Sequence, residues 1–552
     1  MTIIHKLNKS WLLALLILAW LLPGLIGRDP WKADEPYTVG LVWHIVETGD
    51  WVVPTLGGEP FMEKPPVYFI TAACFTKCFS WLLAPHEAAR LASAFFLGIT
   101  LLCVGLASRR WYGDGKGQIA ALLLIGCVGL IHTAHFLITD NALLAGFAVA
   151  LYGLSLCGSR PWLGGMWLGT GTGLAFMAKG ILGPAFLGLT AGLLPILFRA
   201  WRTRAYLGTL IAALLALLPW LVVWPAMLYA RSPALFNEWF WVQNWDRFAG
   251  SGGGGPSQNH FLYFHTLPWF AWPAFPLVVW LIYRERRGIL ADPTTQAPLL
   301  LLVLMFVIFS ASTTGRSLYA VPMLAPFCLL AARLPETLPE RLAKGLTIFS
   351  LGFFGLAIAG AWLGWLAQFT GVPAMVLQLM HKSQPNFTPE FHWQHLLGAL
   401  LLTGFWLVCI LPREEAPWQK WLLSWAGGLV CFYGLIMTLW LPYAEVHASY
   451  RPFLQLRDKI PPGQLVLSQG LGEPQRGLLH YYINLKTRRI ETLKGQPLPE
   501  AAWFLCQLET KRDTKPKLPP GDWTVVWQLN HRGKEQFLLF HQAPTSPPPR
   551  AP

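Results

Sequence analysis

Residues 140–179 read DNALLAGFAVALYGLSLCGSRPWLGGMWLGTGTGLAFMAK. Two apolar runs are joined by a short connection that holds Arg160; Asp140 opens the first run and Lys179 closes the second. Runs of about 17–25 residues are long enough to cross a hydrocarbon core of about 30 Å. A hairpin of two such runs returns the chain to the side it left. Arg160 then lies on one face of a bilayer, and Asp140 and Lys179 lie on the other. Lys and Arg collect in cytoplasmic connections, so this stretch reads as two spans whose acid and cation face outward.

The same reading extends in both directions. Apolar runs of span length fall at roughly 11–27, 89–108, 118–136, 141–157, 162–178, 181–198, 206–228, 262–283, 297–312, 317–333, 345–368, 395–411 and 420–441, about thirteen in all. With the N-terminus inside, the cytoplasmic connections hold Arg109, Arg110 and Lys116, then Arg160, then Arg199, Arg202 and Arg204. Arg284, Arg286 and Arg287 follow, then Arg333, Arg341 and Lys344, then Arg413 and Lys420. Every inner connection carries Lys or Arg, so the register closes. The apolar stretch from Pro65 to Leu83 breaks this register if it crosses. It is therefore expected to be a juxtamembrane or partly re-entrant helix, lying on the interface or covered by protein. At the N-terminus, Lys6 and Lys9 precede the run Trp11–Ile26, which ends in Gly27-Arg28-Asp29-Pro30 without a small-x-small cleavage site. It reads as a retained first span.

Composition agrees. Of 552 residues, 54% are hydrophobic and 13% charged, against about 25% charged in ordinary globular chains. Twenty-nine Trp suit membrane interfaces. The formal charge of +14 sits in short clusters between apolar runs, which points to anionic headgroups or phosphates and away from nucleic acid. Eight of nine Cys fall in or beside apolar segments, including Cys74 and Cys78, and read as small hydrophobes. Cys506 alone lies in the polar tail, so that tail has no internal disulfide, and no Cys/His spacing suggests zinc.

The expected fold is an all-α polytopic membrane protein with a small C-terminal α/β domain outside the cytoplasm. The membrane domain covers 1–441 and includes outer loops at 28–88 and 229–261. A domain at 442–542 shows strand-like runs at Leu465–Ser468, Trp503–Leu505, Trp523–Trp527 and Phe537–Phe540, with a helical pattern near Pro474–Tyr482. The Pro-rich end, 543–552, is expected to be disordered. No repeat of fixed period is present.

The polar residues that matter collect on the outer side. The first outer loop carries Asp34-Glu35-Pro36-Tyr37, then Gly49-Asp50-Trp51-Val52-Val53-Pro54, then Glu63-Lys64-Pro65-Pro66. Taken singly, Asp34 and Glu35 could simply end or cap a helix, and Glu63-Lys64 could be a surface ion pair. Their topology brings them to the face that also receives Asp140, Lys179, Arg247, Arg316 and Tyr319. Ionisable groups at membrane depth mark function more often than decoration. Carboxylates can take a proton from an attacking hydroxyl, and Lys and Arg can stabilise a departing phosphate. That combination suits transfer of a sugar from a phosphate leaving group. Gly252–Gly255 lacks the Gly-Lys-Ser/Thr ending of a nucleotide phosphate loop and reads as a flexible cover.

These residues resemble a known family, the lipid-linked-sugar transferases of the protein-mannosyltransferase type, in particular the bacterial aminoarabinose transferases that modify lipid A. The resemblance rests on Asp34-Glu35, Gly49–Pro54, Glu63-Lys64-Pro65-Pro66, Ala88-Ala89-Arg90-Leu91, Thr139-Asp140, Ala178-Lys179-Gly180, Asp246-Arg247-Phe248, and the pattern from Ser310 through Tyr319 and Pro322 to Pro326. It implies a multi-span glycosyltransferase fold with about thirteen helices and a periplasmic domain. It also implies an undecaprenyl-phosphate sugar donor and an envelope acceptor such as lipid A, in the bacterial inner membrane. Asp34 would be the principal catalytic carboxylate and Asp140 the second. Lys64, Arg247, Tyr319 and Arg316 would hold the carrier phosphate, and Glu35, Tyr37, Glu63 and Lys179 would touch substrate. No metal or other cofactor is expected, although Glu63 and His260 are a conceivable metal pair.

Two departures bear on the sugar and the acceptor. The family usually continues its acidic pair as Asp-Glu-x-Arg-Tyr, whereas Asp34-Glu35-Pro36-Tyr37-Thr38 lacks that Arg. Its late outer turn usually carries Lys, and here Thr313-Thr314 stand with Arg316. Two alternatives stay open at this point: glycosylation of exported proteins from the same donor, and a lipid or sugar transporter.

Overall fold

The computed structural model describes residues 2–246, 260–312, 315–384, 387–411, 415–493, 497–509, 516–531 and 535–542. Arg247, Gly252–Gly255, Thr313-Thr314 and the tail 543–552, all named above, lie outside the described residues. Contacts divide the chain into two compact units: Met1–Arg28 with Met62–Pro442, and Asp29–Phe61 with Tyr443–Pro552. The sequence division at 441/442 is thus crossed by one segment. Asp29–Phe61, expected to belong with the membrane part, packs with the C-terminal residues.

The first unit is helical. All thirteen apolar runs fall on helical backbone, but not all as single long helices. Among the described residues, five helices are long and apolar enough to cross a membrane: Pro85–Tyr112, Arg204–Arg231, Pro293–Ala311, Glu340–Thr370 and Trp393–Ile410. Two bent pairs raise this to seven, Leu262–Phe270 with Ala274–Leu290 and Pro417–Ile436 with Leu441–Ala448. Other runs are broken. The run at 118–136 divides into Lys116–Ile125 and Val128–Ala134, and the run at 317–333 begins as a tight 3₁₀ turn, Ser317–Met323, before the helix Leu324–Ala331. The helix Val67–Phe79 has 13 residues; at 1.5 Å per residue it spans about 20 Å, short of a hydrocarbon core.

The opening hairpin is built as two helices, Asp140–Leu156 and Pro161–Lys179. They meet through glycines. A Cβ on Gly153 would lie 2.6 Å from the Gly164 carbonyl oxygen, and one on Gly146 would lie 2.7 Å from that of Gly171. Small residues at such crossings let helix backbones approach closely. With a four-residue connection and nearly equal lengths, the start of the first helix and the end of the second come to the same level.

The second unit is a mixed five-stranded sheet with helices. Its first segment holds the helix Glu35–Thr48 and a hairpin of β1 (Thr55–Leu56) and β2 (Glu59–Pro60). The sheet comprises β3 (Val466–Gln469), β4 (Thr487–Arg489), β5 (Trp503–Glu509), β6 (Trp523–His531) and β7 (Glu535–Gln542), in the order β4-β3-β5-β7-β6. β3 runs parallel to β4 and β5, while β7 is antiparallel to β5 and β6. The helix Glu473–Ile483 makes the crossover from β3 to β4. One side of the sheet buries Val466, Leu505, Phe537 and Leu539 with Leu478 and Leu479 of that helix, and the other buries Leu467, Phe504, Cys506 and Phe540.

Acids of Asp29–Phe61 meet cations of the C-terminal segment. Glu59 pairs with Arg476 at 2.9 Å and Arg489 at 2.5 Å, and Asp29 pairs with Arg451 at 2.9 Å. Lys32 pairs with Glu535 in the opposite sense. Glu47 accepts from His480 at 2.9 Å, with Lys486 at 3.4 Å. The two helices touch backbone to backbone, since a Cβ on Gly40 would lie 2.5 Å from Gly477 Cα.

The histidines at this junction set a pH response. Burial pushes the His480 imidazole below its ordinary 6.5, against the pull of the Glu47 hydrogen bond, and burial likewise lowers His44. Burial works against ionised Glu47, yet its bond to His480 and the Lys486 charge hold it below the usual carboxylate range. A neutral His480 therefore donates its Nε2 proton to a charged Glu47. A histidine whose folded value lies below its unfolded value stabilises the fold fully above the unfolded value, and that stabilisation drains away as pH falls below it. The protection factors of the Glu473–Ile483 amides, with the base-catalysed intrinsic exchange divided out, are expected to be constant above pH 7 and to fall as pH drops below about 6.5. His480→Gln should flatten that dependence; an unchanged pH slope in the variant contradicts the assignment.

Candidate active site

Asp140 is the first residue of its helix and Lys179 the last of its own. Each charge therefore complements the dipole of its helix, the acid at an N-terminus and the cation at a C-terminus. Lys179 Nζ lies 2.6 Å from Asp140 Oδ1, with the two side chains 10% and 1% exposed. Such a pair is costly to bury and far costlier to break by removing one partner. The ammonium also stands 5.2 Å from the centre of the Tyr319 ring, a cation–π distance. Tyr319 comes from the 3₁₀ turn Ser317–Met323 and lies beside Phe309 at 6.1 Å. Arg316, just before that turn, is exposed; its carbonyl accepts from the Tyr263 hydroxyl at 3.2 Å.

The loop that delivers Asp140 is pinned by buried donors. Asn141 Nδ2 donates to the Thr133 carbonyl at 2.9 Å, and Ser93 Oγ donates to the Phe136 carbonyl at 2.6 Å. An Arg28 guanidinium nitrogen donates to the His135 carbonyl at 2.7 Å, and the group lies 4.4 Å from the Phe136 ring centre. Arg90, fully buried, donates to the Arg28 carbonyl at 2.8 Å. Loop carbonyls in an apolar surround need such partners. Arg28, Ser93, His135 and Asn141 were missed as site support in the sequence. Their signal was present: polar side chains inside or bordering apolar runs.

The second unit holds the acidic pair. Asp34 sits at the N-cap position of Glu35–Thr48, half-buried, and its Oδ1 accepts from the Tyr37 hydroxyl at 3.0 Å. Among the described residues, Tyr37 is the one side chain bonded to that carboxylate. Glu35 is fully buried and accepts from the Trp31 amide at 3.0 Å. Tyr37 stacks on Phe61 at 5.7 Å. Asp50 closes a turn, its Oδ1 accepting from the Val52 and Val53 amides at 3.0 and 3.2 Å.

The sequence-predicted residues thus form two groups: Asp140, Lys179 and Tyr319 with Arg316 close by in chain, and Asp34, Glu35 and Tyr37. Glu63 and Lys64 are half-buried just before the Val67–Phe79 helix. His260 Nδ1 lies 2.8 Å from the Ser310 carbonyl. Among the described residues, no group of three or more His, Cys, Asp or Glu is placed to hold a metal ion.

The fold has a counterpart among solved structures. It matches the crystal structure of ArnT from Cupriavidus metallidurans bound to undecaprenyl phosphate with a TM-score of 0.69 and 17% identity, over 96% of this chain and 97% of that one. The apo structure of that protein matches equally, over 97% and 98%. In sequence, the chain is similar to enzymes named undecaprenyl phosphate-alpha-4-amino-4-deoxy-L-arabinose arabinosyl transferase. The one from Serratia proteamaculans is 28% identical over 468 residues, 79% of this chain and 77% of that one. The one from Pseudomonas aeruginosa is 29% identical over 78% and 75%, and the one from Aeromonas salmonicida 24% identical over 98% and 100%. No family model matches.

The ring beneath Lys179 offers a test. Tyr319→Phe keeps the π face and should unfold at the wild-type temperature in detergent. Tyr319→Leu should lose about 0.5–2 kcal/mol. Equal losses in both variants would assign the stabilisation to the hydroxyl and not to the ring.

Proposed function

We propose that this chain is a glycosyltransferase that moves a 4-amino-4-deoxy-L-arabinose unit from undecaprenyl phosphate to lipid A, on the periplasmic face of the bacterial inner membrane. The observation that carries this reading is the likeness to arabinosyl transferases over 79% of the chain. In it the chain crosses the membrane thirteen times, with the N-terminus cytoplasmic and the sheet-bearing C-terminal unit in the periplasm. The regular Lys/Arg bias of the connections supports that topology. The reading also keeps the sequence division of 1–441 as the transferase domain and 442–542 as its periplasmic companion, to which Asp29–Phe61 adds an arm.

The roles follow from the chemistry of each side chain. Asp34 takes the proton of the acceptor as its oxygen attacks the anomeric carbon. The Tyr37 hydroxyl, donating to Oδ1, orients that carboxylate and leaves its other oxygen for the proton. Glu35, buried at the first helical turn, holds the Trp31–Glu35 loop in shape. The bond from the anomeric carbon to the carrier phosphate breaks, and negative charge builds on the phosphate. Lys64, Arg247, Arg316 and Tyr319 bind that phosphate, the arginines with paired donors suited to two oxygens. Asp140 is the second carboxylate, paired with Lys179, and Glu63 lines the substrate path. Hydrolysis of the activated sugar must be prevented, so water has to be kept out during transfer. The outer loops 28–88 and 229–261 are suited to that task.

Mass spectrometry of envelope lipids tests the reading. Cells carrying the wild-type chain should show lipid A bearing aminoarabinose; Asp34→Asn should lower that product by at least about a hundredfold with the protein present at normal level. Unmodified lipid A alongside newly glycosylated exported proteins would move the acceptor to protein. Normal product from Asp34→Asn would remove Asp34 as the base.

A further inference from the structure

Residues Glu238–Asp246 form a nine-residue π-helical turn. Such segments widen the backbone and are costly enough to be rare, and they concentrate at functional positions. This one is seated by Trp239, 1% exposed, whose ring meets Phe176 at 6.0 Å, Trp224 at 4.8 Å and Phe236 at 5.8 Å. Phe176 lies in the last turn of the helix that ends at Lys179. The π turn is therefore packed on the same helix end that carries the cation of the buried pair.

Asn244 completes the junction. Its amide Nδ2 donates to the Trp239 carbonyl at 2.7 Å, so the side chain folds back across its own turn. Its Oδ1 presses on Gly180: a Cβ added there would overlap that oxygen. Gly180 has φ +64 and ψ −139, a conformation that side-chain-bearing residues avoid. It directly follows Lys179. The corner that aims the Lys179 stem is thus made from a glycine turn on one side and the Asn244 carboxamide on the other.

We infer that Asn244 is a positioning residue, which by sealing the Lys179-Gly180 corner keeps the Lys179 ammonium on Asp140 and over Tyr319. A neutral carboxamide suits the place. It fills the space over Gly180 and satisfies a π-turn carbonyl, and it brings no charge to compete with Asp140 for the ammonium. The inference deepens the glycosyl-transfer reading, on which its kinetic part rests; its structural part does not depend on that reading.

The experiment uses the full chain in detergent or nanodiscs and compares wild type, Asn244→Ala and Asn244→Gln. First, an amine-reactive acylating reagent is applied and modification of Lys179 is followed by mass spectrometry. Wild-type Lys179 should react slowly and Asn244→Ala about tenfold faster, with no change at Lys344, an exposed lysine far along the chain. An Asn244→Ala rate equal to wild type overturns the inference whatever the chain catalyses. Second, transfer from undecaprenyl-phosphate aminoarabinose is measured. Asn244→Ala should lower kcat about tenfold at unchanged donor KM, and should have no further effect in a Lys179→Arg background. Multiplying losses in that background would show that Asn244 acts apart from Lys179 and would also overturn it. A wild-type protein that transfers no sugar, yet shows the Lys179 protection and its loss, sinks the glycosyl-transfer reading and leaves the positioning role standing.

Discussion

The ion pair between Asp140 and Lys179 is the constraint to which the first unit is built. A carboxylate 1% exposed and an ammonium 10% exposed are tolerated in apolar surroundings only when paired and well placed. Several independent features bring that about. Glycines on the two helices let their backbones close to contact, and the short connection around Arg160 sets their ends level. Helix dipoles favour each charge where it stands. The pinned loop from Thr133 to Thr139 then fixes the direction from which Asp140 enters, and the Tyr319 turn supplies a π face for the cation. None of these features is explained by packing alone. Together they hold a carboxylate and an ammonium in contact at the ends of two neighbouring helices.

The second unit is held by a different principle. Its first segment, Asp29–Phe61, is tied to residues some 400 positions later by ion pairs with the C-terminal segment and by glycine contact between two helices. Three of the four segment residues in those pairs are acids, Asp29, Glu47 and Glu59, and their partners are Arg451, His480, Lys486, Arg476 and Arg489. The helix that begins with the Asp34-Glu35 pair is therefore part of a sheet-containing body and not a free loop. Rigid support of this kind is what a carboxylate needs if it is to act as a base with fixed direction.

Much of this was legible in the sequence, and the rest fails for identifiable reasons. The apolar runs located helical backbone at every expected span, and the stretch Pro65–Leu83 holds the 13-residue helix Val67–Phe79. The strands at 466–469, 503–509, 523–531 and 535–542 follow from alternating apolar residues. The three-residue strand Thr487–Arg489 does not, because two of its three residues are Arg and show no alternation. Breaks such as the one after Ile125 are set by tertiary packing, which no local pattern records. The membership of Asp29–Phe61 in the second unit rests wholly on contacts distant in chain. Lys179, given only a substrate contact by the resemblance, turns out to hold Asp140 directly. Its position in Ala178-Lys179-Gly180, at the mouth of an apolar hairpin opened by an acid, was the signal.

The central claim is that Asp140 and Lys179 act as one unit, and a double-mutant cycle on thermal unfolding measures it. Asp140→Asn and Lys179→Met should each cost about 3–5 kcal/mol, because each strands a buried partner. The double variant, which buries no lone charge, should recover most of that loss. Single losses that simply add in the double variant would mean that the two side chains are not coupled, and the account built on their pairing would be wrong.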